Sequence, residues 1–192
     1  MDMPRNEVRP VEFDKFSTPK HLEHASEQAR KRNYQDFLIV DVDSHHYESE
    51  SYAEVFEYIE NPVMRRDAID SGGRSTGWLN TQVGGQSMAG RIVRNKARRL
   101  EKPRLAKHRD IGMTLDWMDA MGVDYACLFP TPMLFLGAHP VPEVEVSMAQ
   151  AYNRWLCERV LAHEPRIVSM LYLPFNDPEA AYKAVKEFDS AT

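Results

Sequence analysis

Asp43 and His45 sit in the stretch "FLIVDVDSHHYESE", residues 37–50, where an apolar run meets two aspartates, two histidines and a glutamate. Residues two apart on a strand point to the same side. A carboxylate and an imidazole at the end of a strand can therefore be aimed at one point. A divalent metal favours such a pair, because a rigid strand delivers both ligands at little cost in ordering. The pair alone is half a site, since a catalytic zinc takes three protein ligands and a water. By the same alternation His46 faces the other way, and Asp41 and His46 are expected to be structural. Asp43 and Ser44 could instead cap a following helix, with His45 and His46 as incidental loop residues.

The apolar strand ending in Asp-x-Asp also resembles the opening motif of haloacid dehalogenase-type phosphatases. That resemblance implies Asp41 as nucleophile and Asp43 as acid/base. His45 stands where that family carries Thr or Val, and no later strand ends in the acidic pair that would hold magnesium.

The elements around the cluster are periodic. Phe37–Val42 is nearly all apolar, as a strand covered on both faces should be. "SYAEVFEYIENPVMRR" has a helical rhythm, with Val55, Phe56 and Ile59 on one side. A Gly/Ser-rich stretch follows, and 46–110 as a whole exceeds an ordinary connection. Ile111, Leu115 and Met118 mark a helix ending at Gly122. "VDYACLF" is a second strand; a helix opening at Pro142 carries Met148, Tyr152, Trp155 and Val160 on one stripe. "RIVSMLYLPF" is a third strand, and Asp177-Pro178 opens a helix with Ala181, Val185 and Phe188 facing one way. Strands alternating with amphipathic helices give an α/β fold of parallel βαβ units. Residues 1–36 form a lead-in that packs on something else.

The 192 residues suffice for one domain or part of a larger one, with 43% hydrophobic and 28% charged residues. No apolar run approaches the ~20 residues that span a bilayer. "MDMPRNEVRP" has no apolar signal core, so a cytoplasmic location and no membrane partner are expected. Cys127 and Cys157 form neither a CxxC pair nor a disulfide framework and read as small buried residues. The net charge of −5 hides a basic run at 91–109, with nine Lys and Arg against one Glu. No aromatics interleave it, so a solvated helix or acid-facing surface is expected rather than nucleic-acid binding.

Three segments together resemble the amidohydrolase superfamily, in particular the branch that includes aminocarboxymuconate-semialdehyde decarboxylase. They are "IVDVDSHHYE", "MTLDWMDAMGVDYACLFPTP" and "RIVSMLYLPFNDPEAAYKAVKEF", and the likeness covers about residues 37 to 189. The resemblance implies the first three βα units of a (βα)8 TIM-type barrel, as a partial domain at 37–192 with a long insertion at 46–110 after the first strand. Asp43 and His45 would take metal-ligand positions, with zinc the first candidate and manganese or iron the others. Glu48 would be a site carboxylate, and Thr131 and His139 would contact a small carboxylated or aromatic substrate. The remaining ligands and the catalytic histidine of that family fall beyond residue 192. A truncated enzyme, one chain of a split barrel needing a complementary fragment, and a degenerate module are the three readings. The expected reaction is hydrolysis or non-oxidative decarboxylation, and a homo-oligomer is expected from resemblance.

Overall fold

The computed structural model describes residues 18–71 and 108–189. Among these, three strands form a parallel sheet in the order β1-β2-β3: β1 Val40–His46, β2 Tyr125–Pro130 and β3 Ile167–Val168. The α-helices are α1 Thr18–Lys31, α2 Tyr52–Glu57, α3 Pro62–Ser71, α4 Arg109–Met121, α5 Pro142–Arg159 and α6 Pro178–Asp189. The fold is α/β. No helix among the described residues is long and apolar enough to cross a membrane. The basic run lies outside the described residues except for His108 and Arg109, as does 72–107 of the expected insertion.

The predicted helical stripes become the core. Ile111, Leu115 and Met118 from α4 pack with Met148, Tyr152 and Trp155 from α5, and with Val55, Phe56 and Ile59 from the α2 region. Ala126, Leu128 and Ile167 are the sheet's contribution. The lead-in supplies α1, which docks along α4. The helical rhythm over 52–66 is two helices rather than one. Asn61 breaks it by accepting the Val63 and Met64 amide hydrogens, a side-chain cap for α3.

Helix α4 ends where Gly122 adopts φ 73°, and its amide donates to the Met118 carbonyl. A Cβ at this position would lie 3.1 Å from the Tyr34 Cβ and 3.3 Å from the Ala29 Cβ. Gly122→Ala is therefore expected to destabilise by about 1–2 kcal/mol, from backbone strain and crowding against α1. Thermal denaturation beside wild type checks it; an unchanged midpoint would mean that α1 yields freely.

Three expectations are corrected. The first strand runs Val40–His46 rather than Phe37–Val42, and among the described residues it is covered on one face. The described helices lie on one side, with Val42 71% and Met170 65% exposed and Val40 and Val168 beside them. The third strand pairs only at Ile167–Val168 instead of over 166–175. Beyond it side chains replace the ladder: Ser169 Oγ donates to the Leu128 carbonyl (2.6 Å), and the Asn153 amide group bonds both N–H and C=O of Tyr172 (2.9 and 2.8 Å). In α6 the buried residues are Ala180 and Ala184, while Val185 is exposed, a rotation of the expected face. Small residues let the helix lie close to its neighbours, which hydrophobicity alone does not signal.

Candidate functional site

The C-terminal ends of β1 and β2 lie side by side, with His45 opposite Phe129 and His46 opposite Pro130. The register slips by one residue between Asp41 and Ser44, a β-bulge. Asp41 builds it: one carboxylate oxygen accepts the Asp43 amide hydrogen (3.0 Å) and the other the Ser44 hydroxyl (2.6 Å). Bulges re-aim side chains at the ends of strands. Here Asp43 is thrown outward, its side chain 85% exposed, onto the same face as His45. Asp41 has both oxygens committed on the opposite face. The sequence carried this signal as Asp-x-Asp-Ser, a short side chain folding back on its own backbone.

Asp43 and His45 meet: His45 Nε2 is 3.2 Å from Asp43 Oδ1. The other ring nitrogen, Nδ1, lies 3.2 Å from the Pro130 carbonyl and 3.4 Å from the Thr131 hydroxyl. A carbonyl and a carboxylate only accept, so the Pro130 contact calls for the ring hydrogen on Nδ1 and the Asp43 contact for one on Nε2. A cation bound to both Nε2 and the carboxylate would leave the hydrogen on Nδ1. The same fixing of one ring nitrogen by a carbonyl is how metal-bound histidines are oriented. As a metal site the pair fits two ligand positions and no more, because no group of three or more His, Cys, Asp or Glu converges among the described residues.

The other expected contacts divide. Glu48 is fully buried. Its Oε2 accepts the Thr131 amide hydrogen (2.9 Å) and its Oε1 that of Met133 (2.6 Å), with the Tyr52 hydroxyl at 3.4 Å. Burial pushes its carboxyl up to about 7, against the opposing pull of His46 and these amide bonds. Thr131 is itself buried, and its hydroxyl borders His45. His139 bonds locally to the Val141 backbone through Nδ1, while its Nε2 is buried with no partner among the described residues. None of its hydrogen bonds joins it to the Asp43–His45 pair.

A second buried carboxylate acts on the next loop. Glu145 of α5 accepts from the Phe175 and Asn176 amides and the Asn176 side chain, which also donates to the Gly137 carbonyl. Tyr172 donates to the Met133 carbonyl (2.8 Å). The loops after β2 and β3 are thereby tied to each other and to the helices, giving a rigid rim beside His45.

His46 faces the helices, as expected. Its Nδ1 lies 3.3 Å from Asp110 Oδ1 and its Nε2 2.8 Å from the Tyr152 hydroxyl, with the ring stacked on Trp155. Ser51 donates to the other Asp110 oxygen (2.7 Å), and Glu54 receives the Trp155 indole N–H (3.1 Å) near His108. This network locks the segment after β1 onto α4 and α5. Helical spacing put Tyr152 on the buried stripe, but no spacing in the sequence pointed to Asp110 or to either residue as a partner of His46. Cys127 and Cys157 are free and half-buried rather than fully buried, with burial pushing both thiols up. Neither has the character of a reactive thiolate.

Neither a protein-family model nor a curated protein matches the chain, so its functional reading rests on this geometry and on the motifs themselves.

Proposed function

We propose that the chain is part of a metal-dependent amidohydrolase-type (βα)8 barrel that hydrolyses or non-oxidatively decarboxylates a small carboxylated or aromatic substrate. One observation carries the reading: Asp43 and His45 stand together on the uncovered face, at the C-terminal end of a parallel strand, with Nδ1 of His45 held by the Pro130 carbonyl. Active sites of parallel barrels lie at that end of the strands. Asp43 and His45 would hold the metal, zinc being the first candidate. When bound, such a metal supplies a water of lowered pKa and polarises a carbonyl. The protein's part is to keep both ligands in place without reorganisation, which the bulge and the rim accomplish. The other ligands come from outside the described residues.

The exposed apolar sheet face supports a second reading, in which the chain is the non-catalytic half of a split barrel and a complementary chain covers Val40, Val42, Val168 and Met170. Metal analysis by plasma mass spectrometry, on the protein as isolated with whatever co-purifies, tests the first reading. About one transition-metal ion per chain is expected, and none in Asp43→Ala/His45→Ala. Metal that persists in the double variant, or is absent from both samples, sinks the metal-centre reading. Light scattering on the same samples distinguishes a lone chain from one bound to a complement.

A further inference from the structure

A single peptide group connects Glu48 to His45. The amide N–H of Thr131 and the carbonyl of Pro130 belong to the same peptide unit, which is planar and, like every peptide described here, trans. In a trans peptide these two groups point in opposite directions. The N–H end is gripped by Glu48 Oε2 at 2.9 Å, and the C=O end meets His45 Nδ1 at 3.2 Å. Whatever orients one end orients the other.

We propose that Glu48 is a positioning residue for the Asp43–His45 pair: by holding the Pro130–Thr131 peptide it directs the carbonyl at His45 Nδ1 and so keeps the ring turned with Nε2 toward Asp43. The proposal rests on the metal reading above for its purpose, though not for its geometry.

Three features make Glu48 suited to this task. It is fully buried, so its carboxylate must be satisfied by protein groups, and the donors nearest it are the Thr131 and Met133 amides. The Met133 bond is short, as bonds to a carboxylate are, and two anchor points two residues apart fix the plane of the loop as well as its position. A carboxylate on the N–H side also polarises the peptide, which makes its carbonyl a better acceptor for the imidazole N–H. The Thr131 hydroxyl, 3.4 Å from the same ring nitrogen, is carried by the same backbone. Met133 is in turn held through its carbonyl by Tyr172, so the loop has no slack to compensate if Glu48 lets go.

The test is Glu48→Gln, which keeps the volume but sets an NH2 against one of the two amide donors. In metal-free protein the ring-nitrogen chemical shifts of His45, read by long-range proton–nitrogen NMR, report its tautomer. The expected result is a smaller Nδ1–H population at His45 than in wild type. His46, whose Nδ1 is held by Asp110, should keep its tautomer, and a merely destabilised protein would not make that distinction. Titration with zinc alone should show affinity lower by about tenfold, the low end for loss of support behind a metal-bound histidine. If the glutamine variant does not fold, Glu48→Asp retains the charge one methylene short and should move His45 in the same direction. An unchanged His45 tautomer in either folded variant overturns the proposal. A wild-type protein that binds no zinc sinks the metal reading instead, while the NMR result still decides the positioning role.

Discussion

Asp110→Ala is expected to lower stability by about 3–5 kcal/mol, the usual range for removing one partner of a buried charged pair. At this chain length that corresponds to a fall of roughly 10 °C in the melting midpoint. The carboxylate is 3% exposed and accepts from His46 Nδ1 and the Ser51 hydroxyl. Burial alone would raise its carboxyl; hydrogen bonding and charge from His46, then the Ser51 bond and Arg109, outweigh it and hold the group below its ordinary range. Truncation leaves an imidazole N–H and a hydroxyl buried without acceptors, and each such orphan costs about 1–3 kcal/mol. The methylene and carboxylate volume is lost beside His46 and Ser51 as well. Because His46 and Asp110 act as one unit, His46→Ala in the Asp110→Ala background should cost clearly less than in wild type. Urea denaturation of the four proteins in this cycle provides the numbers. Strict additivity, or a loss under about 1 kcal/mol for Asp110→Ala, would show that the network does not hold the strand end.

The pH dependence of stability should carry a component from Glu48 of the opposite sign to that of Asp110. Its carboxyl is raised from 4.5 to about 7 in the folded protein. Between those values the native state binds more protons than the unfolded chain, so stability falls as pH rises and levels off above the folded value. A displacement of that size is worth on the order of 3 kcal/mol. The groups facing it are His46 from β1, Tyr52 from α2, Tyr152 from α5 and Tyr172 after β3, with Asp110 beyond His46. Burial holds all three tyrosines neutral across this window, so they leave the slope to Glu48. Asp110, being depressed, contributes stability that is present above its unfolded value and lost only at lower pH. Glu48→Gln removes the titrating group. The wild-type-minus-variant difference should therefore shrink from pH 4.5 to 7, and denaturation at half-unit steps would reveal it. A difference that stays flat across that range rules out the raised carboxyl.

How much of this was legible beforehand depended on whether the controlling interaction is local. The stripe of Met148, Tyr152, Trp155 and Val160, the stop at Gly122 and the cap at Asp177 follow from helical spacing and from short-range backbone chemistry, and all three are present in the fold. The placement of His45 on one face and His46 on the other follows from strand alternation. Alternation would also put Asp41 on the His45 face; the bulge between Asp41 and Ser44 turns Asp41 to the other side, while Asp43 within it lies beside His45. The apolar run at 37–42 misled in one respect: hydrophobic strands are usually covered on both faces, whereas here helices lie on one side of the described sheet.

The sequence by itself determined the parallel α/β class, the core stripes and the aspartate–histidine pair at a strand end, since each depends on residues no more than a few positions apart. Tertiary structure alone decided which polar groups would find partners. His46 reaches Asp110 across 64 residues and Tyr152 across 106, and Glu48 reaches the Thr131 amide across 83. A buried carboxylate looks the same in sequence as an exposed one. Only the packing of α4, α5 and the loop after β2 makes Asp110 a fixed charge, and sets Glu48 against the Thr131 and Met133 amides.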